Sequence, residues 1–200
     1  MAWGLSLIVV IIAVTAWGQR INWTLSGISA YQIFPLFGLL AFSLMWTHYI
    51  VGGIKSALNL NDLQLNKLYF EITAAVVLGS LLIHPTLLII QLWRDGFGLP
   101  PGSYSHYVAP GALWAVYLGL VCWLAFMSFE LRRWYKDKKW WKYVLIANDL
   151  AIWGIYIHGL KLGADVAAAW LHPIWLIYGG LLALAFISKY YNKWFAINRH

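Results

Sequence analysis

Six apolar runs, each close to the length that crosses a bilayer, constrain this chain more than any other feature. A helix needs about 20 mainly apolar residues to cross the hydrocarbon core, and runs of this kind fall near 3–18, 31–52, 68–93, 108–129, 143–160 and 170–187. Inside lipid every backbone N–H and C=O must be satisfied by the protein itself, which leaves only helices and closed barrels. Barrel strands are short and alternate in polarity; these runs are too long and too uniformly apolar. The expected fold is therefore all-α, a polytopic bundle of six transmembrane helices making up one domain over 1–200. Composition agrees: 62% of the 200 residues are hydrophobic and 10% charged, and a soluble fold of this size has too little interior to bury so much apolar surface. A water-soluble enzyme, a disordered tail and a disulfide scaffold are excluded, the last because Cys122 is the only cysteine.

The basic residues orient the bundle. Lys55 and Lys67 lie between the second and third runs, Arg132, Arg133, Lys136, Lys138, Lys139 and Lys142 between the fourth and fifth, and Lys189, Lys193 and Arg199 at the C-terminal end. The opposite side holds Arg20, Arg94 and Lys161. Eleven basic residues against three predict, by the positive-inside rule, that both termini are cytoplasmic. The formal charge of +7 then reflects topology, and no nucleic-acid partner is expected. Trp17, Trp23, Tyr31, Trp46, Trp93, Trp140, Trp141, Trp170 and Trp194 cluster near run ends, as interfacial aromatic belts do. No basic residue precedes the first run, which reads as a retained helix rather than a secretory signal. The Gly- and Pro-rich stretch 95–107 reads as an outer loop, and the basic stretch 132–142 as a cytoplasmic loop.

Ionisable groups inside a span are expensive and face protein, a cofactor or water. His84 lies 16 residues into the third run and His158 15 residues into the fifth, about 24 and 22 Å along helices of the same direction. They therefore share one level, near the outer leaflet. His172 lies on the same side but reads as a helix-start residue beside Pro173, His48 sits at the other end of the membrane, and His106 falls in the outer loop. Two neutral imidazoles facing each other from separate helices are what an axially ligated haem iron requires. The residues on His158's own face, Gly154 and Ala151, and Ser80 on that of His84, are small. They either leave a slot for a macrocycle or simply let membrane helices pack closely. Pro85 removes the helical donor to the Leu81 carbonyl and is expected to kink or end the regular helix. Asp149, beside Asn148 in the inner half of the fifth run, is either a proton relay or a structural hydrogen-bonding group.

LGSLLIHPTLL at 78–88 resembles the third helix of the ferric reductase-like transmembrane domain, and WKYVLIANDLAIWGIYIHGLKLGA at 141–164 resembles its fifth. The likeness extends over the second to sixth runs. Members of that family carry two histidines on each of these helices, about four turns apart, and hold two stacked haems. Here the outer pair maps to His84 and His158, but the inner positions are Phe70 and Leu145. The resemblance thus implies one haem b, with His84 and His158 as the iron ligands and Ser80, Gly154 and Ala151 beside it. It implies an oxidoreductase, or the electron-transfer subunit of one, in the plasma membrane, passing electrons to an acceptor at the outer face. No nucleotide motif is present in the sequence, so a separate reductase or membrane quinol is the expected donor. The alternatives are a haem-free partner subunit or scaffold that retains the fold, a small-molecule transporter, and a metal site built from His84, His158 and His172.

Overall fold

The computed structural model describes residues 2–58 and 67–197. Six long helices carry it: α1 (Ala2–Arg20), α2 (Ala30–Ala57), α3 (Lys67–Arg94), α4 (Leu113–Phe129), α5 (Trp141–Leu162) and α6 (Leu171–Ile197). Each of the six expected runs lies largely within one of them, with ends displaced by a few residues, the largest difference being the extension of α6 to Ile197. All six are long and apolar enough to cross a membrane. These are the dimensions of an integral membrane protein. Two short 3₁₀ turns (Gly102–His106 and Pro110–Ala112) order part of the loop before α4, and one helical turn (Arg132–Tyr135) interrupts the basic loop.

The helices are apolar on nearly every face, so large side chains remain on the outside: Leu150, Leu184, Ile187 and Val121 are all more than half exposed. In water such a surface would aggregate; against lipid tails it is solvated. Helix α2 is central and packs on α1, α3 and α6, while α5 packs on α4. The main core joins Phe42 and Trp46 of α2, Ile152 and Tyr156 of α5, and Trp175, Tyr178 and Leu182 of α6. Trp46 Nε1 donates to the Tyr178 carbonyl at 2.8 Å, satisfying an indole that burial would otherwise strand.

Helix α3 does not stop at Pro85 but runs on to Arg94. The carbonyl of Leu81, which lost its helical donor to the proline, accepts instead from Trp123 Nε1 of α4 at 2.9 Å. Pro35 does the same in α2: the Tyr31 carbonyl it frees lies 3.4 Å from Arg20 Nη2 of α1. Each proline therefore ties its helix to a neighbour. Helix α3 finally ends in a Schellman cap, with Phe97 N–H on the Leu92 carbonyl (3.0 Å) and Gly96 N–H on that of Trp93 (3.1 Å). Gly96 has φ of +83°, a conformation that side-chain-bearing residues rarely adopt.

The bundle has two dissimilar ends. The lysine end gathers the start of α5 and the last turns of α2 and α6; the histidine end gathers the end of α1, the start of α2, the loop around Tyr104 and the α5–α6 connection.

Candidate functional site

At the histidine end the two helix pairs α2–α3 and α4–α5 enclose a cavity of about 330 Å³, within the usual size of a small-molecule or cofactor pocket. Its walls are mostly apolar: Phe34, Phe42 and Met45 from α2, Leu81 and Leu88 from α3, Leu120 and Trp123 from α4. His84 and His158 both line it.

Each imidazole is fixed in the same way. His84 Nδ1 lies 2.8 Å from the carbonyl of Phe34 on α2. His158 Nδ1 lies 2.8 Å from the carbonyl of Ala115 on α4. A carbonyl only accepts, so the ring proton sits on Nδ1, and Nε2 of the neutral ring carries the lone pair. Neither Nε2 has a hydrogen-bond partner among the described residues. Holding one ring nitrogen on a backbone carbonyl while the other is left open is how proteins orient histidine ligands to metals.

A glycine makes each contact possible. A Cβ on Gly38 would lie 2.8 Å from His84 Cε1, and one on Gly119 would lie 2.5 Å from His158 Nδ1. Phe34 and Ala115 stand four residues before these glycines, so in both places the imidazole crosses bare backbone to reach the carbonyl one turn back. Gly38 and Gly119 carry the geometry, and the sequence reading passed over both. They lie on α2 and α4, and only the packing of α3 on α2 and of α5 on α4 reveals what they do.

The small residues on the histidines' own helices have other surroundings. Ser80, Ala151 and Gly154 are buried, and none lines the cavity. Gly154 faces α4, where an added Cβ would collide with Cys122 Sγ. It is a helix-packing contact. His172 begins α6, exposed and away from the cavity. Among the described residues no three His, Cys, Asp or Glu side chains gather as a metal site, so the trio of His84, His158 and His172 does not form.

His48 behaves differently again. Thr73 Oγ1 donates to the Tyr69 carbonyl at 2.7 Å, so the 2.7 Å contact between His48 Nε2 and Thr73 Oγ1 is a bond donated by the ring. The ring also lies 5.3 Å, centroid to centroid, from Phe70, one of the two positions where the inner ligand pair would stand. Leu145, the other, is 44% exposed on the outer surface of α5.

Asp149 faces the lysine end and is saturated. Its Oδ1 accepts from Tyr49 at 3.1 Å and Lys189 at 2.8 Å, and its Oδ2 from Lys189 and Tyr190, both at 2.6 Å. These bonds fasten α5 to α2 and α6, and Asn148 Nδ2 adds one to the Ala125 carbonyl of α4 at 3.1 Å. The arrangement is that of a structural clamp.

The opposite end holds a second buried acid. Asp165, in the α5–α6 connection, lines the cavity together with Arg20 of α1. Arg20 Nε lies 3.0 Å from Asp165 Oδ1, but its N–H is not aimed at that oxygen, which is buried without a hydrogen-bond donor. The contact is coulombic. Burial raises the Asp165 carboxyl above the ordinary aspartate range, and the nearby Arg20 offsets part of that rise. Comparison with protein-family models, curated proteins and solved structures finds no match for the chain.

Proposed function

We propose that the chain is a membrane electron-transfer protein whose histidine-end cavity takes one haem b, which His84 and His158 would hold by its iron. The observation that carries this reading is the matched pair of imidazoles, each pinned through Nδ1 to a backbone carbonyl with no hydrogen-bond partner on Nε2 among the described residues, and both lining one mostly apolar cavity. When bound, the iron would supply reversible one-electron chemistry. The chain would supply the rest. Phe34 and Ala115 fix ring orientation, and Gly38 and Gly119 let the rings seat. Phe42, Met45, Leu88 and Trp123 keep water from the site, and a dry surround sets the potential along with the ligands.

The same reading gives direction. With eleven basic residues on the lysine side, that side and both termini are cytoplasmic, and the histidine end faces outward in a plasma membrane. Electrons would pass to an acceptor there, as the resemblance to the ferric reductase-like domain implies. With Phe70 and Leu145 at the inner positions the chain carries no relay of two haems, so a separate reductase or a membrane quinol acts as donor.

The test is a reduced-minus-oxidised absorption spectrum of protein purified after expression with ample haem. The proposal predicts a b-type band at one haem per chain, lost in His84→Ala and in His158→Ala. A wild-type protein without the band would overturn it and leave the haem-free partner subunit as the better reading.

A further inference from the structure

The cavity has one cationic wall. Among its lining residues Arg20 is the only lysine or arginine, and it stands at the mouth, at the end of α1. At the other extreme Met45 lies 15 residues into α2, about 22 Å further along the bundle, and the surface between is formed chiefly by Phe34, Leu39, Phe42 and Leu81. A carboxylate pushed into that deeper part would lose its hydration with nothing in return.

Arg20 is held in a half-committed state. Its Nη2 donates to the carbonyls of Tyr31 (3.4 Å) and Gln32 (3.2 Å), its Nε leans on Asp165, and Nη1 has no hydrogen-bond partner among the described residues. The side chain of Asp165 is 2% exposed. Its Oδ1 is buried without a donor. A guanidinium at the cavity with an unused Nη1 can take a further acceptor, and a carboxylate is the acceptor it matches best.

We propose that Arg20, held at the cavity by Asp165, forms an acid-recognition subsite that takes the carboxylate arms of the tetrapyrrole and so orients it with its acidic edge toward the mouth. The assignment rests on the haem reading and adds to it a direction of binding and a residue outside the ligand pair. The guanidinium offers the planar, charge-assisted donors that a carboxylate matches. Asp165 keeps it at the mouth rather than out in the headgroups. One turn separates His158 from Leu162 at the end of α5, and Asp165 follows three residues later, so the iron ligand and the acid subsite belong to one short stretch of chain.

The experiment compares two probes on the purified, haem-free full chain: ferric haem and its dimethyl ester, titrated by absorption. Wild type is expected to bind haem about ten- to a hundredfold more tightly than the ester, the range that one or two charge-assisted hydrogen bonds carry. Arg20→Gln should bind both alike, near the wild-type affinity for the ester, and Arg20→Lys should recover part of the preference. Equal binding of the two probes by wild type, which needs no variant to fold, overturns the subsite while leaving the haem reading standing. So does a preference that survives in Arg20→Gln. If wild type binds neither probe, the haem reading falls and the subsite falls with it.

Discussion

Asp149 and Asp165 are both buried acids, their side chains 9% and 2% exposed, yet the bundle treats them differently. Four donor contacts converge on Asp149, every one between 2.6 and 3.1 Å. Asp165 has a cation beside its Oδ1, yet no hydrogen bond reaches that oxygen. The histidines repeat the contrast: His48 commits its Nε2 to Thr73, whereas His84 and His158 spend Nδ1 on backbone and leave Nε2 open. At the lysine end polar groups answer one another and fasten helices. At the histidine end they are half-answered around a cavity. Incomplete satisfaction of buried groups is destabilising by itself, and on the proposed reading a bound group offsets that cost at the histidine end.

The comparison can be broken most severely at the iron ligands. His84→Ala or His158→Ala should abolish haem binding, whereas His48→Ala should leave the spectrum and stoichiometry unchanged; a loss in His48→Ala would place the ligand elsewhere. Next come the seats. Gly119→Ala drives a Cβ into the His158 ring, and overpacking of this kind costs about 1–3 kcal/mol. Haem affinity should fall by roughly tenfold or more with little change in helix content. The matched control is Gly53→Ala, whose Cβ would meet Ala185 at 2.6 Å at the lysine end. It should lower thermal stability and spare haem affinity.

Asp149→Ala sharpens the other side. Removing one partner of a buried pair costs about 3–5 kcal/mol, but Lys189 is 48% exposed, and screening reduces the loss to about 1–2 kcal/mol. Denaturation of the detergent-solubilised protein should show that loss, with haem binding intact. The smallest effect is in pH. Because Asp165 titrates above its unfolded value of 3.8, the folded chain binds more protons than the unfolded one just above that value. Stability should therefore decline as pH rises from about 3.8 through the folded pKa and then level off. Asp165→Asn should flatten that stretch of the stability profile.

The fold was legible because hydropathy over some 20 residues is a long-range signal that no single residue can spoil. That His84 and His158 lie at one level, where both line one cavity, was legible for a related reason: depth along a helix follows from residue count. What was not legible depends on which helix lies beside which. The small residues on the histidines' own faces, Ser80, Ala151 and Gly154, fitted either a slot or close helix packing, but each imidazole reaches sideways onto a neighbouring helix, and the glycines that admit it are 46 residues earlier for His84 and 39 for His158. The ion pair of Arg20 with Asp165 joins residues 145 positions apart and has no local signature. Pro85 was half read. The freed Leu81 carbonyl was foreseen, but Trp123, which accepts the task of satisfying it and keeps α3 helical to Arg94, was not.

On the proposed reading His84 of α3 and His158 of α5 hold one iron between them. Low-temperature electron paramagnetic resonance of the oxidised, haem-loaded protein addresses it directly. A low-spin ferric signal of two imidazole ligands is expected in wild type, and it should disappear when either His84 or His158 is replaced by alanine. A high-spin signal in wild type, or a low-spin signal that persists in both variants, would contradict it.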